Sequence, residues 1–415
     1  MTTIFFILFI SFLAIAGVII RPFKIPEYVW ACTGASFLLL FGLISFSSGI
    51  AAVAKGTDVY FFLLGMMLLA EAARIEGLFD WLAAHATKLA QGSAIKLFFL
   101  IYLVGTIVTI FLSNDATAVV LTPDVIAAMN TSQVKNPMPY LFICVFIANA
   151  ASFVLPISNP ANLVIYVERL PSLIEWLSHF IIPSLVSIIV TFIILFFLQR
   201  KQLRQSISIN IAIPSLSKGG ITAMVGIVLS ATILISCSAM GIALGLPTFL
   251  AGLVTMIIIY FGTGRNPVEI VKGLTWQVIP LVAGLFIIVK ALAKTGLMQS
   301  AAVLLMHFVQ KDIIATTWGS GFLTAFVCNL INNLPAGLTA ADIMTVANPP
   351  EIVRKAILIG IDLGPNLSPT GSLASILWLL ALRRENLNVN GWEFLKLGIF
   401  VMLVPLIFTI ASLYV

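Results

Sequence analysis

The sequence predicts an all-α polytopic membrane protein built as an inverted repeat, each half holding five transmembrane helices and one re-entrant hairpin. Three observations carry that prediction. Sixty per cent of the 415 residues are hydrophobic and only 9% are charged, against about 25% charged residues in soluble domains. Apolar runs of about 20 residues recur from end to end, each long enough to cross about 30 Å of hydrocarbon. Third, the chain repeats itself: at a shift of about 219 positions "TDVYFFLLGMMLLAEAARIEGL" (57–78) falls on "WQVIPLVAGLFIIVKALAKTGL" (276–297), Gly65 on Gly284, and Asn114 on Asn333.

Taken in order, ordinary spans are expected over 3–20, 27–47, 57–73, 173–198, 218–240, 246–262, 276–292 and 393–414. The first, "IFFILFISFLAIAGVII", has neither a basic leader nor a small-residue cleavage site, so it reads as a retained helix. Two longer runs, 137–166 and 352–380, are interrupted by "LPISNPANL" and "DLGPNLSPTGSL". Proline removes a backbone donor and clashes with the preceding turn, so both spans break near their middles. Two further segments, 94–131 and 312–347, read as hairpins with polar tips at "SND" (113–115) and "INN" (331–333). The repeats are drawn as 1–205 and 206–415. Five spans per half is an odd number, so the second half lies inverted.

Charge gives a separate argument for that topology. With the N-terminus outside, fifteen of the 22 Lys and Arg fall on the cytoplasmic side. Lys55, Arg169, Lys294, Lys311, Arg354 and Lys355 fall outside, and Lys290 stays in a span. That is the positive-inside bias of a multi-pass protein. The net charge of +6 is accounted for by orientation in short loops, and no nucleic-acid partner is implied. The partner it implies is the lipid bilayer.

Chemistry concentrates at the tips and breaks. Irregular backbone at membrane depth is tolerated only where it lines a cavity or is buried in protein, and broken helices in inverted repeats are the build of secondary transporters. Asp115, at the first tip, is therefore a candidate for proton coupling. Burial disfavours the charged form of a carboxylate, which suits a group that takes up and releases a proton. Capping of the hairpin's second arm is the structural alternative, and the two roles are compatible. Asp362, just before the second break, is the second proton-coupling candidate. Ser113, Asn114, Thr117, Asn332 and Asn333 at the tips, with Ser158, Asn159, Asn162, Asn366, Ser368, Thr370 and Ser372 at the breaks, form a neutral set rich in donors and acceptors. Each of them also has a capping alternative. No Arg or Lys is among them, which argues against an organic anion as substrate.

Other residues read as structural. Asp124 and Asp342 are expected to be ordinary interface charges, and Lys290, which matches Glu71 in the repeat, is expected to snorkel. The four cysteines (Cys32, Cys144, Cys237, Cys328) lie far apart in apolar runs and imply no disulfide framework. They behave as small hydrophobes. His85, His179 and His307 are isolated, without metal-ligand spacing. There is no HExxH, GxSxG or P-loop. No enzyme activity and no cofactor is expected, so the driving energy comes from an ion gradient or from a separate ATPase.

Four stretches go further: "GLFDWLA" (77–83), "LSNDATAVVLTPDVIAAM" (112–129), "GSGFLTAFVCNLINNLPAGL" (319–338) and "IGIDLGPNLSPTGSLASILWL" (359–379). In this order they resemble the bacterial arsenite/antimonite efflux pumps of the ArsB family, within the ion transporter superfamily. The resemblance spans essentially the whole chain. It implies export of arsenite and antimonite from the cytoplasm in exchange for protons, a site in the bacterial inner membrane, and in some members an attached soluble ATPase subunit. Carried over residue by residue, it covers Asn114 and Asp115, Asn332, Asn333 and Pro335, then Asp362, Gly364, Pro365, Pro369, Gly371 and Ser372. Two departures stand out: Ala116 replaces a glycine common after the first acid, and "SNPANL" carries an additional proline. Arsenite near neutral pH is mostly an uncharged trihydroxide, which a nest of Asn, Ser and Thr can bind without burying a lone counter-ion. A sodium/proton antiporter of the same superfamily, using the same two acids for a bare cation, is the main rival. A passive pore and a purely structural membrane protein are weaker ones.

Overall fold

The computed structural model describes residues 2–166, 171–205, 207–208 and 214–415. Arg169, counted above as an outer charge, and Ser206, where the second repeat was drawn to begin, lie outside the described residues. Helices account for the fold, and no β-strand forms among the described residues.

The first half runs α1 (Thr2–Ile20), α2 (Glu27–Leu40), α3 (Phe46–Lys55), α4 (Thr57–Ile75), α5 (Leu78–Leu89), α6 (Ala94–Phe111), the single turn α7 (Asn114–Ala116), α8 (Thr122–Thr131), α9 (Met138–Ala150), α10 (Pro160–Ile165) and α11 (Leu173–Gln199). The second follows with α12 (Lys218–Ala239), α13 (Gly245–Thr263), α14 (Pro267–Gly273), α15 (Val278–Ala293), α16 (Leu297–Lys311), α17 (Ile313–Ile331), α18 (Asn333–Ala347), α19 (Glu351–Leu363), α20 (Leu373–Arg384) and α21 (Gly391–Ala411). The same succession of elements therefore occurs twice. Gly77 and Gly296 open α5 and α16 with left-handed φ of 74° and 81°, a conformation that glycine adopts without steric cost.

Among the described residues six helices are long and apolar enough to cross a membrane, or up to eight spans if the bent pairs α3–α4 (46°) and α14–α15 (42°) each count as one. Side chains such as Phe12, Leu185, Val228 and Phe400 are exposed on the outer faces, as a hydrocarbon solvent requires. The span expected over 27–47 is shorter than drawn. Helix α2 stops at Leu40, the chain turns at Gly42 with φ 67°, and Ser45 caps α3 by accepting from the Ser48 amide (3.3 Å). Sequence hydropathy runs across this turn because its flanks are apolar on both sides.

Packing occurs in equivalent couples. Helix α1 lies on α2 as α12 lies on α13, and α6 on α9 as α17 on α19. Across the halves, α4 packs on α13 and α15 packs on α2. Two glycines make those crossings close: a Cβ at Gly65 would sit 2.4 Å from the Thr248 carbonyl, and one at Gly284 would sit 2.9 Å from the Ala31 carbonyl carbon. Helices α4 and α13 run in the same direction. Asp58 accepts from the Gly245 amide at their N-terminal ends (2.7 Å), and Arg265 reaches Glu76 at their C-terminal ends (3.2 Å). The halves are thus interleaved, and the breaks of each meet elements of the other: α10 packs on α18, and α20 on α7 and α8.

Candidate functional site

The first tip forms where helical backbone stops. Ser113 is extended, and its Oγ accepts from the Ala116 amide (3.2 Å), starting α7. Asn114 Oδ1 accepts from the Asp115 amide (2.9 Å). The Thr117 hydroxyl pairs with that of Thr109 (2.8 Å) and donates to the Ser113 carbonyl (3.1 Å). A five-residue π turn, Thr117–Leu121, follows, where Pro123 has no amide to return to the carbonyl four residues earlier. The side chains of Asn114 and Thr117 thus serve the local backbone. Asp115 differs: among the described residues no group hydrogen-bonds its carboxylate, and it lines a small open cavity of about 60 Å³. The other walls include Ser113, Met66 and Glu71 of α4, Pro160 of α10, and Leu274 and Thr275 before α15. No Lys or Arg lines this cavity.

The second tip is a one-residue turn. Asn332 has φ 71°, accepts from the Leu334 amide (3.3 Å) and donates to the Thr370 carbonyl (3.2 Å). The Asn333 amide donates to the Gly371 carbonyl (2.8 Å), which ties α18 to the break after α19. Ser368 donates to Asn329 Oδ1 (2.7 Å) and pairs with the Thr370 hydroxyl (3.1 Å), while Asn329 Nδ2 donates to the Gly364 carbonyl (2.8 Å). Tip and break of the second half therefore form one polar unit around Asn329.

The two breaks also cross between halves. Asn159 caps α10 through Oδ1, accepting from the Ala161 amide (3.0 Å), and donates from Nδ2 to Asp362 Oδ1. Asn149 Nδ2 donates to Asn366 Oδ1 (3.0 Å), and Ser372 Oγ donates to Asn149 Oδ1 (3.2 Å) while capping α20. Ser158 donates to the Ile110 carbonyl (2.9 Å), and Asn162 to the Ser152 carbonyl (2.8 Å). Asp362 is fully buried. Among the described residues its Oδ2 and the Asn162 Oδ1 are buried with no hydrogen-bond partner, a rarity for buried polar atoms.

Nine of the fourteen predicted residues fall into three groups, Ser113 and Asp115 on the cavity, the Asn159–Asp362 crossing with Asn366 and Ser372, and the Asn332–Ser368–Thr370 unit, while the side chains of Asn114, Thr117, Ser158 and Asn162 and the amide of Asn333 bond to backbone. No hydrogen bond joins Asp115 to Asp362. Three participants escaped the sequence reading. Asn149, Asn329 and Ser375, whose hydroxyl pairs with that of Ser372 (3.0 Å), sit inside apolar helices. Asn149 was hidden by the alignment, because the shift of 210 that sets "SNPANL" beside "SPTGSL" places it on Ile359, whereas the structure matches Asn149 with Asp362, and the caps Asn159 with Ser372, at a shift of 213. Glu71 is buried on the cavity, whereas its repeat counterpart Lys290 is exposed. Asp124 departs from expectation: it is half-buried, with Oδ2 buried and unpartnered. The cysteines are free, Cys144 and Cys328 fully buried.

A sequence model of the CitMHS family, described as "Citrate transporter", matches residues 7–382. The chain belongs to the CitMHS family. The chain is 29% identical over 350 residues to an arsenical pump membrane protein of Escherichia coli, covering 81% of each. It is 26% identical over 423 residues to the putative arsenical pump membrane protein of Bacillus subtilis (strain 168), covering 95% of each. Among solved structures, the fold is similar to the YdaH transporter of Alcanivorax borkumensis (TM-score 0.57, 14% identity, 89% of this chain and 87% of that one). It is also similar to Neisseria gonorrhoeae MtrF, of a class of antimetabolite efflux pumps (TM-score 0.55, 16% identity, 88% and 82%). This CitMHS chain is accordingly a multi-pass membrane protein of transporter architecture.

Proposed function

We propose that the protein is a secondary active transporter that exports trivalent arsenite or antimonite, as the neutral trihydroxide, from the cytoplasm in exchange for protons. The observation that carries this reading is Asp115: a carboxylate without a protein partner, at a helix break, on a cavity lined by no Lys or Arg. A neutral polyhydroxyl cargo needs no counter-ion there, and an anion finds none. The arsenical-pump relatives support the same substrate class. Asp115 and Asp362 carry the coupling protons, and the unpartnered Oδ2 of Asp362 is where a proton resides without displacing a bond. Ser113 serves the cargo directly, while Asn159, Asn366, Ser372, Asn332, Asn333, Ser368 and Thr370 set the geometry of the breaks that must move during alternating access. Ser158, Asn162, Asn114 and Thr117 hold local backbone.

The recurrent element order and the equivalent packing couples support two inverted repeats, 1–205 and 206–415, with ten spans; the excess of Lys and Arg in the loops read as cytoplasmic supports an N-terminus outside, in the bacterial inner membrane. The test is arsenite uptake into everted vesicles under an imposed proton gradient, for wild type and Asp115→Asn. Gradient-driven uptake that the substitution abolishes is the expected result. Sodium uptake in place of arsenite uptake by the wild type would overturn the reading in favour of a cation antiporter.

A further inference from the structure

The cavity has a second carboxylate, and it is held differently from Asp115. Arg74, one turn further along α4, donates to both oxygens of Glu71, from Nη2 at 2.6 Å and from Nε at 2.8 Å. The Glu71 side chain is 9% exposed and that of Arg74 42%. Gly273, which also lines the cavity, presses on the pair from the facing segment: a Cβ there would overlap the Glu71 carboxylate. Arg74 itself does not line the cavity, and the Nε–Nη2 edge of its guanidinium is taken up by Glu71.

We propose that the Glu71–Arg74 pair is a selectivity lock that keeps carboxylate anions out of the cavity. The inference rests on the reading of this cavity as the cargo site. A free guanidinium at the rim would be a ready receptor for a carboxylate, because its planar fork matches two oxygens at once. Glu71 occupies the Nε–Nη2 edge of that fork and neutralises its charge beside the cavity. An incoming carboxylate then meets Glu71 and Asp115 with no cation to spare, which combines like-charge repulsion with uncompensated desolvation. A neutral trihydroxide suffers neither penalty. This is specificity by obstruction of the wrong partner, and it separates neutral from carboxylate cargo within one fold. The other charged groups near Arg74 are Asp80 on α5 and Asp124 on α8, both acidic, so they deepen the barrier to anions.

The test uses citrate as the probe. Wild type, Glu71→Gln and the double variant Glu71→Gln/Arg74→Gln are compared in two measurements: citrate inhibition of arsenite uptake in everted vesicles, and citrate-dependent thermal stabilisation of the full-length protein purified in detergent. Wild type is expected to ignore citrate in both. Glu71→Gln should respond at a citrate concentration lower by about tenfold or more, the gain of one charge-assisted contact, and the double variant should lose that response. If Glu71→Gln does not fold, Glu71→Asp, too short to fill the fork, carries the same expectation. A citrate response in wild type, or none in a folded Glu71 variant, overturns the lock. Absence of arsenite uptake by wild type overturns the proposed cargo instead, and the stabilisation measurement still decides the lock.

Discussion

Asn159 donates a hydrogen bond to Asp362 across the boundary between the two halves, and Ser372 donates to Asn149 in the equivalent place. Asn159 and Ser372 are the N-caps of α10 and α20, and Asn149 and Asp362 are the penultimate residues of α9 and α19. Each broken helix is thus fastened by the cap of its counterpart. The symmetry fails only in chemistry: one crossing ends on a carboxamide and the other on a carboxylate. At the tips the asymmetry is reversed, with Asp115 in the first half standing opposite Leu334 in the second. Each half contributes one acid, at different depths of the same design.

Replacing Asn159 by Ala removes the amide donor to Asp362 Oδ1 and leaves that buried carboxyl oxygen without its partner. A loss of about 1–3 kcal/mol in stability is expected, read as a lowered thermal midpoint in detergent. Asp362→Asn, which keeps shape and the Asn159 contact, should melt near wild type yet lose gradient-driven arsenite uptake. Retained uptake in that variant would reduce Asp362 to a structural acceptor.

Asn149→Asp preserves volume but sets a carboxylate oxygen against Asn366 Oδ1, where a donor now stands. Two acceptors then face each other in a fully buried place, at a cost of about 1–3 kcal/mol. Thermal unfolding of the purified variant checks this. A variant as stable as wild type would show that the Asn149–Asn366 bond is not formed.

Gly65→Ala and Gly284→Ala test the close crossings of α4 on α13 and α15 on α2. Each added methyl would run into backbone of the facing helix, and overpacking of that kind costs about 1–3 kcal/mol. Gly65, with the shorter approach, should suffer more. Gly77→Ala meets no atoms within 4 Å and is charged only with a left-handed backbone, about 1–2 kcal/mol. Size-exclusion profiles and melting curves of the three variants give the order.

Topology is checked by Lys88→Cys and Lys311→Cys, both exposed near the ends of the counterpart helices α5 and α16. On a background without the native cysteines, a membrane-impermeant maleimide applied to intact cells should label the Lys311 variant and not the Lys88 variant. Labelling of both from outside contradicts an inverted second half.

Much of this was legible in the chain because its signals are local. A proline or asparagine inside an apolar run cannot be hidden by distant contacts: Pro156, Pro160, Pro365 and Pro369 interrupt their helices, and Ser113 and Asn332 end theirs, at the positions where the sequence places polar punctuation. Composition alone set the solvent, since 9% charged residues cannot clothe a surface facing water. What the tertiary structure decided is which of those polar groups meet. Asn159 and Asp362 are 203 residues apart, Asn149 and Asn366 are 217 apart, and no periodicity encodes such pairings. The same holds for Asp115 and Glu71: their shared cavity exists only because α4, the first tip and the segment before α15 converge. Capping is a contract between neighbours in sequence, so sequence reveals it. Cavities and crossings depend on how rigid helices pack, and there distance along the chain carries no information about distance in space.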